Sequence, residues 1–306
     1  MSMKAIEVKN LTKKFGDFVA VNQITFDVNP GEVFGLLGPN GAGKTTTIRM
    51  LCGLLKPTSG SGYVGGCDII KEYEKIKNRV GYMSQKFSLY KDLTVEENIE
   101  FFCGIYRLKG IEKKKRKDWA LEISGLTKMQ KMIAGELPGG FKQRLALVCS
   151  LLHSPEILFL DEPTAGVDPI SRTKFWNLIY HLKKTFKTTV LVTTHYMDEA
   201  EHCERIALIR EGMFIAIGTP LELKNLVKDA VYLIKTRHYF KTRENLRKKS
   251  FVMDIIPFGN AFHIFLDKKE NPEELKNDLL KSGIEILKFE PLIPSLEDVF
   301  LSLIKK

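Results

Sequence analysis

The sequence Gly38-Pro39-Asn40-Gly41-Ala42-Gly43-Lys44-Thr45 fits the pattern G-x-x-x-x-G-K-[ST] and directly follows the apolar run 33–37. A helical run begins after it at Thr46, so the loop lies between a strand and a helix. In this context the glycines let successive backbone N–H groups face phosphates, and the helix N-terminus adds a partial positive charge. We expect Lys44 to reach the β- and γ-phosphates of a nucleotide and Thr45 to reach a Mg²⁺ ion.

Three further apolar runs predict buried parallel strands, at residues 157–160, 189–193 and 206–209. Together with the run 33–37 and the amphipathic segments between them, they predict an α/β domain of the P-loop NTPase class up to about residue 220. Ligands of open α/β sheets lie beyond the carboxyl ends of the strands. The residues that follow each run are therefore candidates for the functional site.

Two of these strand ends carry acids or a histidine, because Asp161 and Glu162 follow the run 157–160 and His195 follows Thr194. We expect Asp161 to hold Mg²⁺ through water, and Glu162, which points differently, to be the general base that deprotonates an attacking water. The His195 imidazole can bond a γ-phosphate oxygen or position the water. Taken alone, two acids could cap a strand and a strand-end histidine is more often structural. The phosphate loop favours the catalytic interpretation.

Helix signals replace strand signals between about residues 86 and 137, which predicts a helical insertion. The capping box Thr94-Val95-Glu96-Glu97 predicts the start of one of its helices. We interpret the basic run 113–117 as a solvated helix face and assign it no function. Further along, Asp198 and Glu199 are expected to be first-turn acids of a short helix, with a structural role only.

A second pattern begins after Thr219-Pro220 and predicts a small α+β domain over residues 221–306. The predicted elements are a strand at 231–235, a helix at 238–249, two strands around 257–260, a helix at 272–281, a strand at 284–289 and a final helix after Ser295. This order is similar to a ferredoxin-type β-α-β-β-α-β unit. The chain is thus predicted to have a nucleotide-binding domain, residues 1–220, and an accessory domain.

Composition leaves the class of binding partner open. The chain has 306 residues with 47 basic and 37 acidic side chains, a formal charge of +10 that suits nucleic acid, anionic lipid or a phosphate-bearing substrate. The five cysteines are scattered without a C-x-x-C pair, so we expect reduced thiols in the core. Neither a secretory signal nor a run of roughly 18 apolar residues is evident, and we expect a cytosolic chain.

Together, the residues up to about 220 resemble the nucleotide-binding subunit of an ATP-binding cassette (ABC) transporter. In chain order, the matching elements are Phe15 (the aromatic that stacks on adenine), GPNGAGKTT at 38–46 with Thr46 at its end (Walker A), Gln85 (glutamine loop), LPGGFKQR at 137–144 (signature), ILFLDEP at 157–163 (Walker B), Asp168 (D-loop) and His195 (switch histidine). The number and order of these motifs make an accidental match negligible.

The resemblance implies two such domains packed head to tail, with each nucleotide between one phosphate loop and the partner's signature. Pro138, Gly139, Gly140 and Asp168 would then join the nucleotide-binding set, and Gln85 would lie near the Mg²⁺ held by Thr45 and Asp161. The implied cofactors are ATP and Mg²⁺. Gln85 and the loop 87–94 would relay closure of the dimer, whose second member is another copy or a sister ATPase, to a membrane permease.

The signature departs from the usual LSGGQ, because Pro138 stands in place of serine and Phe141 in place of glutamine. The serine hydroxyl would normally bond the partner's γ-phosphate. Gly139 and Gly140 still begin a helix whose N–H groups and dipole can face phosphate, and Pro138 suits a helix entrance. We therefore expect a weaker ATP-bound dimer that remains functional.

The segments 92–98 and 294–300 resemble those of ATPases that work with separate drug, lipid or polysaccharide export permeases, as does the LPGGFKQR variant. We therefore expect an ATP-hydrolysing motor subunit of an export system, peripheral on the cytoplasmic face of the membrane. The alternative is a soluble ABC-type ATPase acting on nucleic acid or ribosomes. Such proteins usually have two cassettes or a long coiled-coil insertion, and no nucleic-acid partner is expected here. A P-loop kinase would need neither Gln85 nor the signature nor Asp168.

Overall fold

The computed structural model describes residues 4–85 and 89–304. The chain divides into two compact units, Met1–Ile217 and Gly218–Lys306. Within the described residues, none of the helices combines the length and the apolar character needed to cross a bilayer.

The first unit contains ten strands and seven α-helices within its described residues. The strands are β1 (Ile6–Phe15), β2 (Phe18–Val28), β3 (Val33–Leu37), β4 (Ser59–Val64), β5 (Cys67–Asp68), β6 (Val80–Met83), β7 (Ile157–Asp161), β8 (Thr189–Thr194), β9 (Arg205–Arg210) and β10 (Met213–Gly218). The helices are α1 (Lys44–Leu51), α2 (Tyr73–Lys77), α3 (Val95–Ile105), α4 (Gly110–Ser124), α5 (Gly139–Leu151), α6 (Pro169–Phe186) and α7 (Met197–Ala200).

The central sheet has six strands in the order β10-β9-β3-β8-β7-β6. β3 pairs in parallel with both β8 and β9, and β7 pairs in parallel with both β6 and β8. All four predicted parallel strands are confirmed, and every residue of β3, β7 and β8 is buried. Because the carboxyl ends of parallel strands meet at one edge, the segments that follow β3, β7 and β8 lie side by side.

A second sheet, with the order β2-β1-β4-β5, is antiparallel. Its inward residues share one apolar cluster with Ile48 and Met50 of α1 and with Phe34 and Phe159 of the central sheet. Burial of this common core holds α1, and with it the loop that precedes α1, against both sheets. At the far end of the β1–β2 hairpin, Phe15 pairs with Phe18.

Helices α3, α4 and α5 form an apolar cluster of their own. Thr94 caps α3 in the predicted capping box. The basic run 113–117 lies at the surface, and two of its lysines also form ion pairs with α3. Lys117 Nζ lies 2.8 Å and Lys113 Nζ 3.1 Å from Glu100 of α3, and these lysines lower the pKa of that carboxyl. The two side chains therefore tie α4 to α3.

The second unit contains α8 (Pro220–Lys224), β11 (Ala230–Thr236), α9 (Tyr239–Arg247), β12 (Val252–Phe258), β13 (Ala261–Leu266), α10 (Pro272–Lys281), β14 (Ile286–Pro291) and α11 (Leu296–Ile304). Its antiparallel sheet has the order β12-β13-β11-β14. Leu246 of α9 and Leu275 of α10 pack with Ile264 of the sheet, whereas Leu301 of α11 packs with Phe265. Because Ile264 and Phe265 are consecutive in β13, helices cover both faces of this sheet.

Candidate functional site

The phosphate loop between β3 and α1 is built from backbone conformations that favour glycine. Gly41 and Gly43 have φ angles of 81° and 103°, in the left-handed region. At Gly43 a Cβ atom would also lie only 2.5 Å from the Ala20 carbonyl oxygen. The glycines therefore let the loop curl tightly against the neighbouring β2 strand, with α1 starting directly at Lys44.

Lys44 is the buried cation of the site, with only 4% of its surface exposed. Its Nζ donates hydrogen bonds to the Gly38 and Pro39 carbonyl oxygens at 2.7 and 3.0 Å. The same Nζ lies 3.0 Å from Glu162 Oε1. The ammonium group is thus held at the centre of the loop, where it can bind phosphate oxygens.

Asp161, at the end of β7, presents a buried carboxylate next to the loop. Its Oδ1 accepts hydrogen bonds from Thr45 Oγ1 at 2.9 Å and from Thr193 Oγ1 at 2.8 Å. Its Oδ2 is buried and accepts no hydrogen bond from the described residues. Burial raises the pKa of Asp161, against the opposing effect of the two threonine hydroxyls. A free carboxylate oxygen beside a threonine hydroxyl is a donor set that fits Mg²⁺, with phosphates and water completing the coordination.

Glu162 connects the predicted catalytic residues. Its Oε2 accepts a hydrogen bond from Gln85 Nε2 at 3.2 Å and lies 3.1 Å from His195 Nδ1, while Oε1 faces Lys44. Its backbone has a φ of 48°, which non-glycine residues rarely adopt. The Glu162 N–H donates a hydrogen bond to the Thr193 hydroxyl at 3.0 Å. The carboxylate is therefore aimed at one point, between the phosphate loop and the end of β8.

Lys44, Gln85 and Glu162 line a cavity of about 400 Å³, the Lys44 cavity, together with Thr46, Asn40 and Phe15. Asp161 and His195 are not among its lining residues. Phe15 lies at its mouth, half exposed, with Lys13 Nζ 5.1 Å from the ring centroid. Phe18 also lines the cavity, although sequence reasoning did not single it out. The sequence could have indicated Phe18 through the two-residue turn after Phe15, because that turn makes the two residues cross-strand partners.

The signature and the D-loop lie outside this cavity. Pro138 is the exposed N-cap of α5, and Asp168 is the exposed N-cap of α6, where its carboxylate accepts a hydrogen bond from Ser171 N at 2.9 Å. A Cβ atom at Gly140 would lie 2.5 Å from the Ser171 Cβ, so the starts of α5 and α6 are in close contact. The predicted nucleotide-binding residues therefore form two sets, one around Lys44 and the other at these helix N-termini.

Comparison with known proteins identifies the family. A family model described as ABC transporter matches residues 21–165, and one for the C-terminal domain of DrrA1-3-like ATP-binding proteins matches residues 218–304. The Nod factor export ATP-binding protein I of Burkholderia thailandensis is 36% identical over 99% of this chain and 98% of its own length. The chain belongs to the ABC transporter ATP-binding proteins. It therefore carries an ABC ATPase domain, and its second unit corresponds to the DrrA-like C-terminal domain.

Among other relatives of this ABC protein, the probable multidrug ABC transporter ATP-binding protein YbhF of Escherichia coli is 54% identical over 221 residues. That match covers 72% of this chain but only 38% of YbhF. The dimeric structure of the ATP-binding cassette MJ0796 bound to ADP and phosphate is 30% identical, covering 70% of this chain and 98% of its own with a TM-score of 0.64. The predicted P-loop NTPase fold is thereby confirmed.

Replacing Asp161 by asparagine is expected to stabilise the nucleotide-free ABC protein by roughly 1 kcal/mol at pH 7.5, because an amide avoids burying a charge. A carboxyl whose pKa is raised on folding favours the folded state at low pH, and this contribution is lost as the pH rises. The stability advantage of the Asp161→Asn variant should therefore be small near pH 4 and grow towards pH 7. Thermal unfolding in EDTA measures this, and equal stability of the two proteins at pH 7.5 would contradict it.

Proposed function

We propose that this chain is the ATP-hydrolysing motor subunit of an ABC export system. The observation that carries the proposal is the position of Glu162, whose carboxylate lies 3.0–3.2 Å from Lys44, Gln85 and His195. A base held beside a phosphate-binding lysine and a strand-end histidine is an arrangement that suits hydrolysis of a γ-phosphate.

Each residue of this cluster has a distinct role in the proposal. Lys44 and the loop N–H groups bind the β- and γ-phosphates, and Phe15 stacks on the base. Thr45 and Asp161 would hold Mg²⁺, with Gln85 nearby, and this group would supply charge neutralisation at the phosphates when bound. Glu162 orients the attacking water and takes its proton, while His195 bonds the γ-phosphate. Binding of phosphate also breaks the Lys44–Glu162 ion pair, which frees the carboxylate to act as a base.

The second set of residues points to a dimer. Pro138, Gly139 and Asp168 are exposed at the starts of α5 and α6, outside the Lys44 cavity of their own chain. Helix N-termini bind phosphate through free N–H groups and the dipole. We infer that they close on the nucleotide of a second subunit, either another copy or a sister ATPase, so that two chains are needed for two complete sites.

Exchanging Pro138 for serine should strengthen this dimer. A serine hydroxyl that bonds the partner's γ-phosphate should contribute about 1.5–3 kcal/mol per site. In a Glu162→Gln background, we expect the ATP-dependent dimer of Pro138→Ser to dissociate at a concentration at least tenfold lower, as measured by analytical ultracentrifugation.

Pro138→Ala is the matched control, because it removes the ring without adding a hydroxyl. Serine at an N-cap also stabilises α5 itself, so thermal unfolding without nucleotide must be compared. An unchanged dimer affinity in Pro138→Ser would show that this position does not meet the phosphate.

We infer that a membrane permease docks beside the glutamine loop. A small groove there is lined by Tyr82, Leu89, Phe102 and Tyr106, at the junction of the central sheet and α3. Next to it, the exposed rings of Tyr90 and Phe101 stack edge to face at 4.4 Å. Exposed aromatic rings of this kind favour protein contacts. Of the expected relay loop 87–94, residues 87 and 88 lie outside the described residues.

Export as the coupled process rests on the relatives, which are named for multidrug transport and for Nod factor export. In this proposal the cargo path lies in the permease and this subunit binds the permease at the cytoplasmic face of the membrane. Residues 221–306 form an accessory domain. The test is affinity purification of Glu162→Gln from detergent-solubilised membranes with ATP, with Lys44→Ala as control. ATP-dependent recovery of a protein with several membrane-spanning helices is expected. Recovery of ribosomes or nucleic acid instead would contradict the proposal.

A further inference from the structure

Glu199 of α7 is a buried carboxylate that the proposed chemistry leaves unexplained. Only 1% of its surface is exposed, and it does not line the Lys44 cavity. Its Oε1 accepts a hydrogen bond from Thr164 Oγ1 and lies 3.2 Å from Arg172 Nε, and its Oε2 accepts one from Thr194 Oγ1 at 2.8 Å. The expectation of a first-turn helix acid at Glu199 is therefore incomplete, because its carboxylate is directed into the protein.

The two threonines place Glu199 between the catalytic segments. Thr164 is the second residue after Glu162, and Thr194 directly precedes His195. Both hydroxyl-bearing side chains are almost completely buried. A single carboxylate thus bridges the chain that leaves β7 after Glu162 and the end of β8 that presents His195.

Glu162 and His195 depend on their surroundings for this geometry. The two side chains approach to 3.1 Å, and Glu162 has a left-handed backbone that persists only where neighbouring groups hold it. The hydrogen bond that the Glu162 N–H donates to Thr193 fixes one side of this residue. The Thr164–Glu199 bond fixes the turn on its other side.

Arg172 supplies the third contact and connects the bridge to α6. Its guanidinium also lies 2.9 Å from Asp198 Oδ2 and stacks over the Tyr196 ring at 4.3 Å. Asp198 is mostly exposed, whereas Glu199 is not. Burying a charged carboxylate is costly unless it is paired and hydrogen-bonded, and each oxygen of Glu199 has such a partner.

We propose that Glu199 is a positioning residue that holds Glu162 and His195 in their productive geometry, through Thr164 on one side and Thr194 on the other. This inference rests on the proposed ATPase function. Glu199 makes no contact with the nucleotide in this proposal, so nucleotide binding does not depend on Glu199. Glu199 affects the rate of hydrolysis only through the positions of Glu162 and His195.

The test is a double-mutant cycle on the steady-state kinetics of the full chain with MgATP. Glu199→Gln keeps the shape but replaces one acceptor oxygen with an amide NH₂. Because small misplacements of reacting groups cost much of the rate, we expect kcat to fall on the order of tenfold to a hundredfold. KM for ATP should stay within about twofold, because Glu199 makes no contact with the bound nucleotide in this proposal.

In a His195→Ala background, the same change should lower kcat by a smaller factor than in the wild type, because only its effect on Glu162 remains. An equal loss with and without His195 would mean that Glu199 does not act through His195, and would overturn the inference. Wild-type kcat in Glu199→Gln would also overturn it. Asp198→Asn, which removes another partner of Arg172, is the matched control and should keep wild-type kinetics.

Thr164→Val and Thr194→Val keep the inference testable if Glu199 variants do not fold, since each removes a single hydroxyl from a side chain of similar shape. Each should lower kcat with little change in KM, and unchanged kcat in both would overturn the bridge. If the wild type itself hydrolyses no ATP, the proposed function fails, and this inference fails with it. If the wild type turns over ATP and the Glu199 and threonine variants match it, only this inference fails.

Discussion

Replacing Glu162 by glutamine is expected to reduce ATP turnover by on the order of a hundredfold to ten-thousandfold, the contribution of a positioned general base. Glutamine keeps the shape of the side chain and its contact with the Lys44 ammonium, but it cannot accept a proton from water. Nucleotide binding should therefore persist. Phosphate release gives the rate, and equilibrium binding of a fluorescent ATP analogue gives the affinity.

Glu156→Gln is the matched control for this variant. Glu156 is exposed and precedes β7 at the end of the strand opposite Glu162. The Glu156→Gln variant should hydrolyse ATP like the wild type. Turnover of Glu162→Gln within about twofold of wild type would assign the base to another residue, because loss of an essential base lowers kcat far more than that.

Replacing Lys44 by alanine is expected to abolish hydrolysis and to weaken nucleotide binding by roughly tenfold to a hundredfold. The buried ammonium lies among the Gly38 and Pro39 carbonyl oxygens and Glu162, and a charge-assisted hydrogen bond to phosphate is worth about 1.5–3 kcal/mol before its electrostatic effect on hydrolysis. Isothermal titration with ATP measures the loss of binding.

Lys71→Ala removes an exposed lysine elsewhere in the same unit and is the control for charge alone. The Lys71→Ala variant should bind ATP with wild-type affinity. Normal turnover in Lys44→Ala would overturn the assignment of this loop as the nucleotide site. Since Lys44 also pairs with the buried Glu162, thermal unfolding should accompany the titration to separate lost binding from lost stability.

The parts of the fold that follow from local pattern were predictable. The continuous apolar runs predicted parallel strands because only a sheet covered on both faces buries such segments, and β3 has the predicted bounds. The convergence of Lys44, Asp161 and His195 followed from the shared edge of neighbouring strand ends. In the second unit, α10 has the predicted bounds, while the last strand begins two residues later than expected, at Ile286.

Contacts between distant segments were not predictable from local pattern. The Glu199 bridge joins residues 35 positions apart, and the short spacing of Asp198 and Glu199 suits an ordinary helix start equally well. Thr193 contacts both Asp161 and Glu162, yet in the sequence it is one more β-branched strand residue. Likewise, Lys113 and Lys117 belong to a basic run whose pairing depends on which face of α4 meets α3.

The central claim is that ATP closes two of these chains on each other, with each phosphate loop completed by the partner's signature. The most direct measurement is the mass in solution of Glu162→Gln with saturating MgATP, by light scattering, alone and combined with Pro138→Ser. We predict twice the mass of the chain with ATP, a return to the single-chain mass when ATP is removed, and no dimer in Lys44→Ala. A single-chain mass for both Glu162→Gln proteins at saturating ATP would contradict the account.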